Sequence, residues 1–158
     1  MDFSLGISWQ YGLLTIISML LLPFFRGRYA FIVGAIGFSL IDIFAGKVGM
    51  WTLSCALVWG LVSFIFAKHQ PNGTFLNFAK MSVFSVLVFD ILTGIVFSAI
   101  FWGMPLTDAA IGQIPFTIKH LLGITAIALI CAPLLFPAIA KQINKLELFV
   151  LKPQAARA

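Results

Sequence analysis

Residues 75–102 read FLNFAKMSVFSVLVFDILTGIVFSAIFW, and this stretch decides the fold. Its only charges are Lys80 and Asp90. A helix needs about 20 mostly apolar residues to cross the roughly 30 Å hydrocarbon core of a bilayer. This run exceeds that length, so it reads as a membrane helix that tilts or protrudes. Its apolar residues are continuous rather than alternating, which argues against the strands of an outer-membrane barrel.

The same reading extends outward along the chain. Residues 7–25, 29–45, 48–67 and 115–140 form further apolar runs. The sequence therefore predicts an all-α polytopic membrane bundle of about five transmembrane helices, forming a single domain over 1–158. Turn chemistry separates the runs: Arg26-Gly27-Arg28, Gly46-Lys47, and Lys68 through Gly73, where Pro71 precedes Asn72-Gly73. The longest expected connection, 103–114, holds Pro105, Asp108 and Gly112.

Composition supports the membrane reading. Hydrophobic residues make up 61% of the chain and charged residues only 9%, against about a quarter charged in soluble domains. A soluble fold this small could not hide so much apolar surface. The net charge of +5 does not point to nucleic acid, because the basic residues sit at helix ends rather than on one face. Arg26, Arg28, Lys68, Lys141, Lys145, Lys152 and Arg157 fall on one side, with Lys80 nearby; Lys47 falls on the other. Excess Lys and Arg mark the cytoplasmic side. The expected topology is a multi-pass plasma-membrane protein with its N-terminus outside and a cytoplasmic tail at 141–158, where lysines can meet anionic lipid. Cys55 and Cys131 lie in apolar runs without metal-ligand spacing and read as buried packing residues. The N-terminus lacks the basic region of a signal peptide.

Ionisable groups inside membrane helices are costly and mark candidate sites. Asp42 lies toward the outer end of the second run, and Asp90 near the middle of the fourth. Lys119 and His120 are expected in the first turns of the last helix, again on the outer side. The four together suggest a polar cavity open to the outside, in which Lys119 would pair with Asp90 or Asp42 or meet an anionic ligand. The alternative is an internal ion pair that orients helices and touches no ligand, with Lys119 and His120 simply interfacial. Trp51 and Trp102, with Trp9, fall near the outer boundary, where Trp anchors helices at the headgroups; beside a cavity mouth they could also stack on a flat ligand. Ala30/Gly34, Ala35/Ser39, Gly94/Ser98 and Ala128/Ala132 have the spacing that lets helices approach closely.

Two segments carry a family resemblance. The stretch from Arg28 to Gly46, glycine-rich and ending near Asp42, resembles the corresponding helix of substrate-binding (S) components of energy-coupling factor transporters. Phe89-Asp90, Thr93-Gly94, Gly112-Gln113-Ile114-Pro115-Phe116-Thr117 and Lys119-His120-Leu121-Leu122-Gly123 resemble the final two helices of small S components. The similarity covers roughly residues 11–140. It implies a membrane subunit that captures a vitamin-like micronutrient from outside. Such a subunit docks on a transmembrane coupling subunit driven by cytoplasmic ATPases, and has no catalytic residues, cofactor or metal of its own. It implies a small-molecule site formed by Asp42, Asp90, Gln113, Lys119 and His120, with Trp51 and Trp102 near its mouth. S components have six helices; the five counted here correspond to the last five. A structural or assembly subunit of a larger membrane complex is the competing reading. A membrane enzyme finds little support, with Asp42 and His120 the one plausible acid–base couple.

Overall fold

The computed structural model of the protein describes residues 17, 21–25, 27–69 and 75–143. Every element among them is helical. Most of the expected first helix, Trp9 and nearly all of the expected tail lie outside the described residues; of that helix, a short 3-10 turn, Leu22–Phe24, is described.

Helix α1 is Gly27–Phe44 and α2 is Met50–His69. Ala30, Gly34, Phe38 and Asp42 recur every fourth residue, so they share one face, and all four are buried. That face lies on α2. At Gly34 the helices approach so closely that a Cβ there would sit 2.6 Å from Ser63 Cβ and 3.2 Å from the Trp59 carbonyl oxygen. The small-residue spacing of Ala30 and Gly34 thus serves packing within the bundle.

The turn between these helices is fixed by backbone geometry. Gly46 adopts a left-handed φ of 65°, a conformation that costs a residue with a Cβ. Its N–H bonds to the Ile43 carbonyl at 3.1 Å, while the Lys47 N–H reaches the Asp42 carbonyl at 2.9 Å. This pair of bonds closes the helix end by capping otherwise orphaned carbonyls.

The stretch quoted first forms one continuous helical rod. It comprises α3 (Phe75–Asp90), a π-helical segment π1 (Ile91–Phe97) and α4 (Ser98–Trp102). Gly103, with φ of 62°, ends it. A second rod follows at once: α5 (Leu106–His120), π2 (Leu121–Thr125) and α6 (Ala126–Ile143). Here the expected connection is corrected. Residues 106–114 are helical, and the last helix begins at Leu106 rather than at 115. Pro105 caps the new helix, its carbonyl accepting from the N–H groups of Asp108 and Ala109, each at 3.0 Å. Asp108 in the first turn complements the positive end of the helix dipole. Pro115 sits inside the helix, as membrane helices tolerate.

The core is built on α2. Val58, Val62, Phe66 and Ala67 pack with Leu22, Phe24, Ala30, Phe78 and Phe136 near one end of the bundle. Toward the other end, Phe38 and Trp59 pack with Cys55 and Ala56, and Phe89 joins their rings at centroid distances of 5.9 and 5.6 Å.

The outside of the bundle is apolar as well. Leu53, Leu57, Leu61 and Phe64 line the exposed face of α2, and Ile32, Val33, Ile36, Leu40 and Ile43 that of α1. Water does not tolerate continuous apolar surface on this scale. Among the described residues, 27–44, 50–69 and 76–102 are long and apolar enough to cross a bilayer. The chain is an all-α membrane protein.

Candidate functional site

The two long rods run antiparallel, and polar side chains meet along their contact. Ser82 Oγ lies 3.2 Å from Thr125 Oγ1. Asp90 Oδ1 lies 2.9 Å from His120 Nδ1. Further along, the Gln113 side chain rests directly on Gly94, in space that a Cβ would occupy. Gln113 Nε2 also reaches toward Thr117 Oγ1 at 3.5 Å. The result is a polar seam of three rungs between apolar helices.

The middle rung is the most demanding electrostatically. Asp90 is 1% exposed and the His120 side chain 12% exposed. With Asp90 ionised, His120 Nδ1–H donates to Oδ1, which fixes the imidazole tautomer. Asp90 Oδ2 is buried and has no hydrogen-bond partner among the described residues. The carboxylate therefore keeps a free acceptor inside an apolar bundle, where an unmet polar group costs about 1–3 kcal/mol and a charged one more. The Phe116 ring packs edge-on to His120 at a centroid distance of 4.2 Å.

Both partners stand where α-helix gives way to π-helix. Asp90 immediately precedes π1 and His120 immediately precedes π2. Single π turns are rare and gather at functional sites, because they re-aim side chains and loosen the backbone ladder. In π1, the Thr93 hydroxyl donates to the Phe89 carbonyl at 2.6 Å. It thereby satisfies a backbone acceptor beside Asp90.

The expected site residues separate into distinct places. Asp90, His120 and Gln113 come together in the seam. Asp42 does not join them through any described hydrogen bond. Its Oδ2 accepts from Thr52 Oγ1 at 2.7 Å, and that same hydroxyl oxygen accepts from the Gly49 N–H at 3.1 Å. Asp42 thus latches the α1–α2 turn. Trp51 and Trp102 meet at the same end of the bundle, ring centroids 5.4 Å apart. Lys119 is exposed on α5, and the described ion pair of Asp90 is with His120, not Lys119. Because α5 starts at Leu106, Lys119 and His120 lie more than three turns into the helix, not in its first turns. The convergence of four charged groups is replaced by one buried pair, one local latch and one exposed lysine.

Ser82, Thr125 and Thr117 are seam residues that the reading of the sequence missed. A signal was present: Gln113, Thr117 and His120 recur at helical spacing, as do Ser82 and Asp90. Treating 103–114 as a loop hid the first of these patterns.

No protein-family model, curated protein or solved structure matches the chain.

Proposed function

We propose that the protein is the substrate-binding membrane subunit of a micronutrient uptake transporter, with the Asp90–His120–Gln113 seam as the place where a small polar molecule is held. Buried Asp90 Oδ2, which has no hydrogen-bond partner among the described residues, carries this reading. A ligand N–H or O–H that bonds to it would offset the cost of burying that acceptor. Gln113, with one acceptor and two donors on its amide, supplies complementary groups further along the seam. The π segments on both sides of the pair support a site whose geometry can adjust.

The resemblance of residues 28–46 and 89–123 to S components supports the rest of the proposal. The chain would lie in the plasma membrane with its N-terminus outside and its C-terminus in the cytoplasm. It would take the ligand from outside and pass it through a transmembrane coupling subunit powered by cytoplasmic ATPases. A second reading, a structural subunit without a ligand, is favoured by one observation: Asp42 is used in a local latch with Thr52.

The test is binding by purified protein. A panel of small polar and partly aromatic micronutrients is screened by thermal shift, and any hit is titrated against Asp90→Asn, Gln113→Leu and Lys119→Met. The expected outcome is a hit whose affinity falls at least about tenfold (about 1.4 kcal/mol) in Asp90→Asn and Gln113→Leu but not in Lys119→Met. Equal affinity in all four proteins removes the seam as the site.

A further inference from the structure

The three segments long and apolar enough to cross a bilayer carry one pattern on their outer faces. On α1, the exposed side chains Ile32, Ile36 and Leu40 follow exposed Arg28 at helical spacing. On α2, exposed Leu57, Leu61 and Phe64 lead in the same way to exposed Lys68. On the rod that starts with α3, exposed Phe84, Leu87 and Ile91 follow exposed Lys80. Residues three and four apart lie on one side of a helix. Each set is therefore an apolar stripe that ends in a single cation.

The three cations share one end of the bundle. They stand next to or within a turn of the span ends at Gly27, His69 and Leu76. Ala30, Ala67 and Phe78, each within two residues of one of the cations, belong to the same core cluster. A Cβ on Gly27 would lie 2.8 Å from the Phe64 ring, one turn of α2 short of Lys68. The carboxylates of the described residues lie elsewhere. Asp42 and Asp90 are each 1% exposed, and Asp108 opens α5 at the opposite end, where Trp51 meets Trp102. The cationic end thus faces outward with no described acid beside it.

An anionic phospholipid matches both parts of the pattern. Its phosphate sits at the interface, level with the cation, and its acyl chain runs along the stripe. Free phosphate would leave the stripes unused, and an acidic protein surface approaching through water would meet only the cations. Lys80 points to the same partner. It lies roughly 6 Å inside its span by helical rise, a distance that a lysine stem covers by running along apolar surface with its ammonium at the headgroups. Arg28 gives one N–H to the Tyr29 hydroxyl at 3.2 Å, and its planar guanidinium carries further donors that suit a phosphate.

We propose that this end of the bundle binds anionic phospholipid, with Arg28, Lys68 and Lys80 each holding a headgroup phosphate and the stripe beside each cation seating an acyl chain. The proposal rests on the chain spanning a membrane and is independent of what the seam binds.

Native mass spectrometry of the full-length protein in a neutral detergent tests it. The protein is titrated with dioleoyl phosphatidylglycerol and with dioleoyl phosphatidylcholine, and separately with inorganic phosphate and with polyglutamate. The expected result is that phosphatidylglycerol binds about fivefold tighter than phosphatidylcholine, the advantage of one basic residue near a charged headgroup. The preference shrinks in Arg28→Gln, Lys68→Gln and Lys80→Gln and vanishes when all three are combined. It is unchanged in Lys47→Gln, whose charge lies at the other end, and in the combined Arg28→Lys, Lys68→Arg and Lys80→Arg variant, which keeps every charge. The proposal is overturned if the parent binds both lipids equally, if the combined Gln variant keeps the preference, or if Lys47→Gln loses as much. It is also overturned if inorganic phosphate binds as tightly as phosphatidylglycerol, which would leave the stripes without a role. Polyglutamate bound by the parent and lost in the combined Gln variant, without a lipid preference, would assign this end to an acidic protein instead.

Discussion

Replacing His120 by leucine should destabilise the protein more than replacing both His120 and Asp90. In the native bundle Asp90 is 1% exposed and its Oδ1 lies 2.9 Å from His120 Nδ1, while Oδ2 has no partner among the described residues. His120→Leu leaves both carboxylate oxygens unpaired in apolar surroundings. Removing the partner of a buried carboxylate, which leaves the charge uncompensated, costs about 3–5 kcal/mol. Asp90→Val leaves only the more accessible imidazole without its partner, so the expected loss is about 1–3 kcal/mol. The double variant Asp90→Val/His120→Leu removes the charge altogether. Apolar replacement of a whole buried pair is often neutral or stabilising, so it should fall within about 1 kcal/mol of the parent. The assay is reversible unfolding in mixed micelles titrated with a denaturing detergent, followed by tryptophan fluorescence. A double variant as unstable as His120→Leu would show that the pair contributes shape rather than charge compensation, and the argument for an electrostatically demanding seam would fail.

Two further outcomes test the hairpin of α1 and α2. Gly34→Ala places a methyl group 2.6 Å from Ser63 Cβ; overpacking of this kind costs about 1–3 kcal/mol, and Ser63→Gly in the same chain should recover most of it in the same unfolding titration. Thr52→Val deletes the hydroxyl that donates to buried Asp42 at 2.7 Å and should cost about 1–3 kcal/mol, whereas Thr52→Ser should stay within about 0.5 kcal/mol of the parent; equal losses in the two variants would show that the methyl group matters rather than the hydrogen bond.

Hydrophobic run length alone established that the chain is a helical membrane bundle. A segment such as 75–102 has no other stable form in lipid, because its backbone groups must be satisfied within the segment. It also located α1, α2 and the first rod to within a few residues, since apolar runs ended by Gly46 and by Gly103 carry their own stop signals. Ala30 and Gly34 were legible as a contact face for the same local reason: helical spacing fixes which residues share a side.

The partner of each buried charge was not legible. Asp42, Asp90, Lys119 and His120 look equivalent as ionisable residues in apolar runs. Only the packing of one rod on the other gives Asp90 to His120, and only the turn at Gly46 gives Asp42 to Thr52. Lys119 and His120 are adjacent in sequence, yet a step of about 100° around the helix sends one inward and the other out. The start of α5 decided how deep both lie. There Pro105, Asp108 and Gly112 suggested a loop, but inside a bilayer the backbone remains helical wherever it can, and the turn contracted to Gly103-Met104-Pro105. Hydrophobicity is a property of each segment and is written in the sequence. Pairing is a property of two segments, and it exists only once they touch.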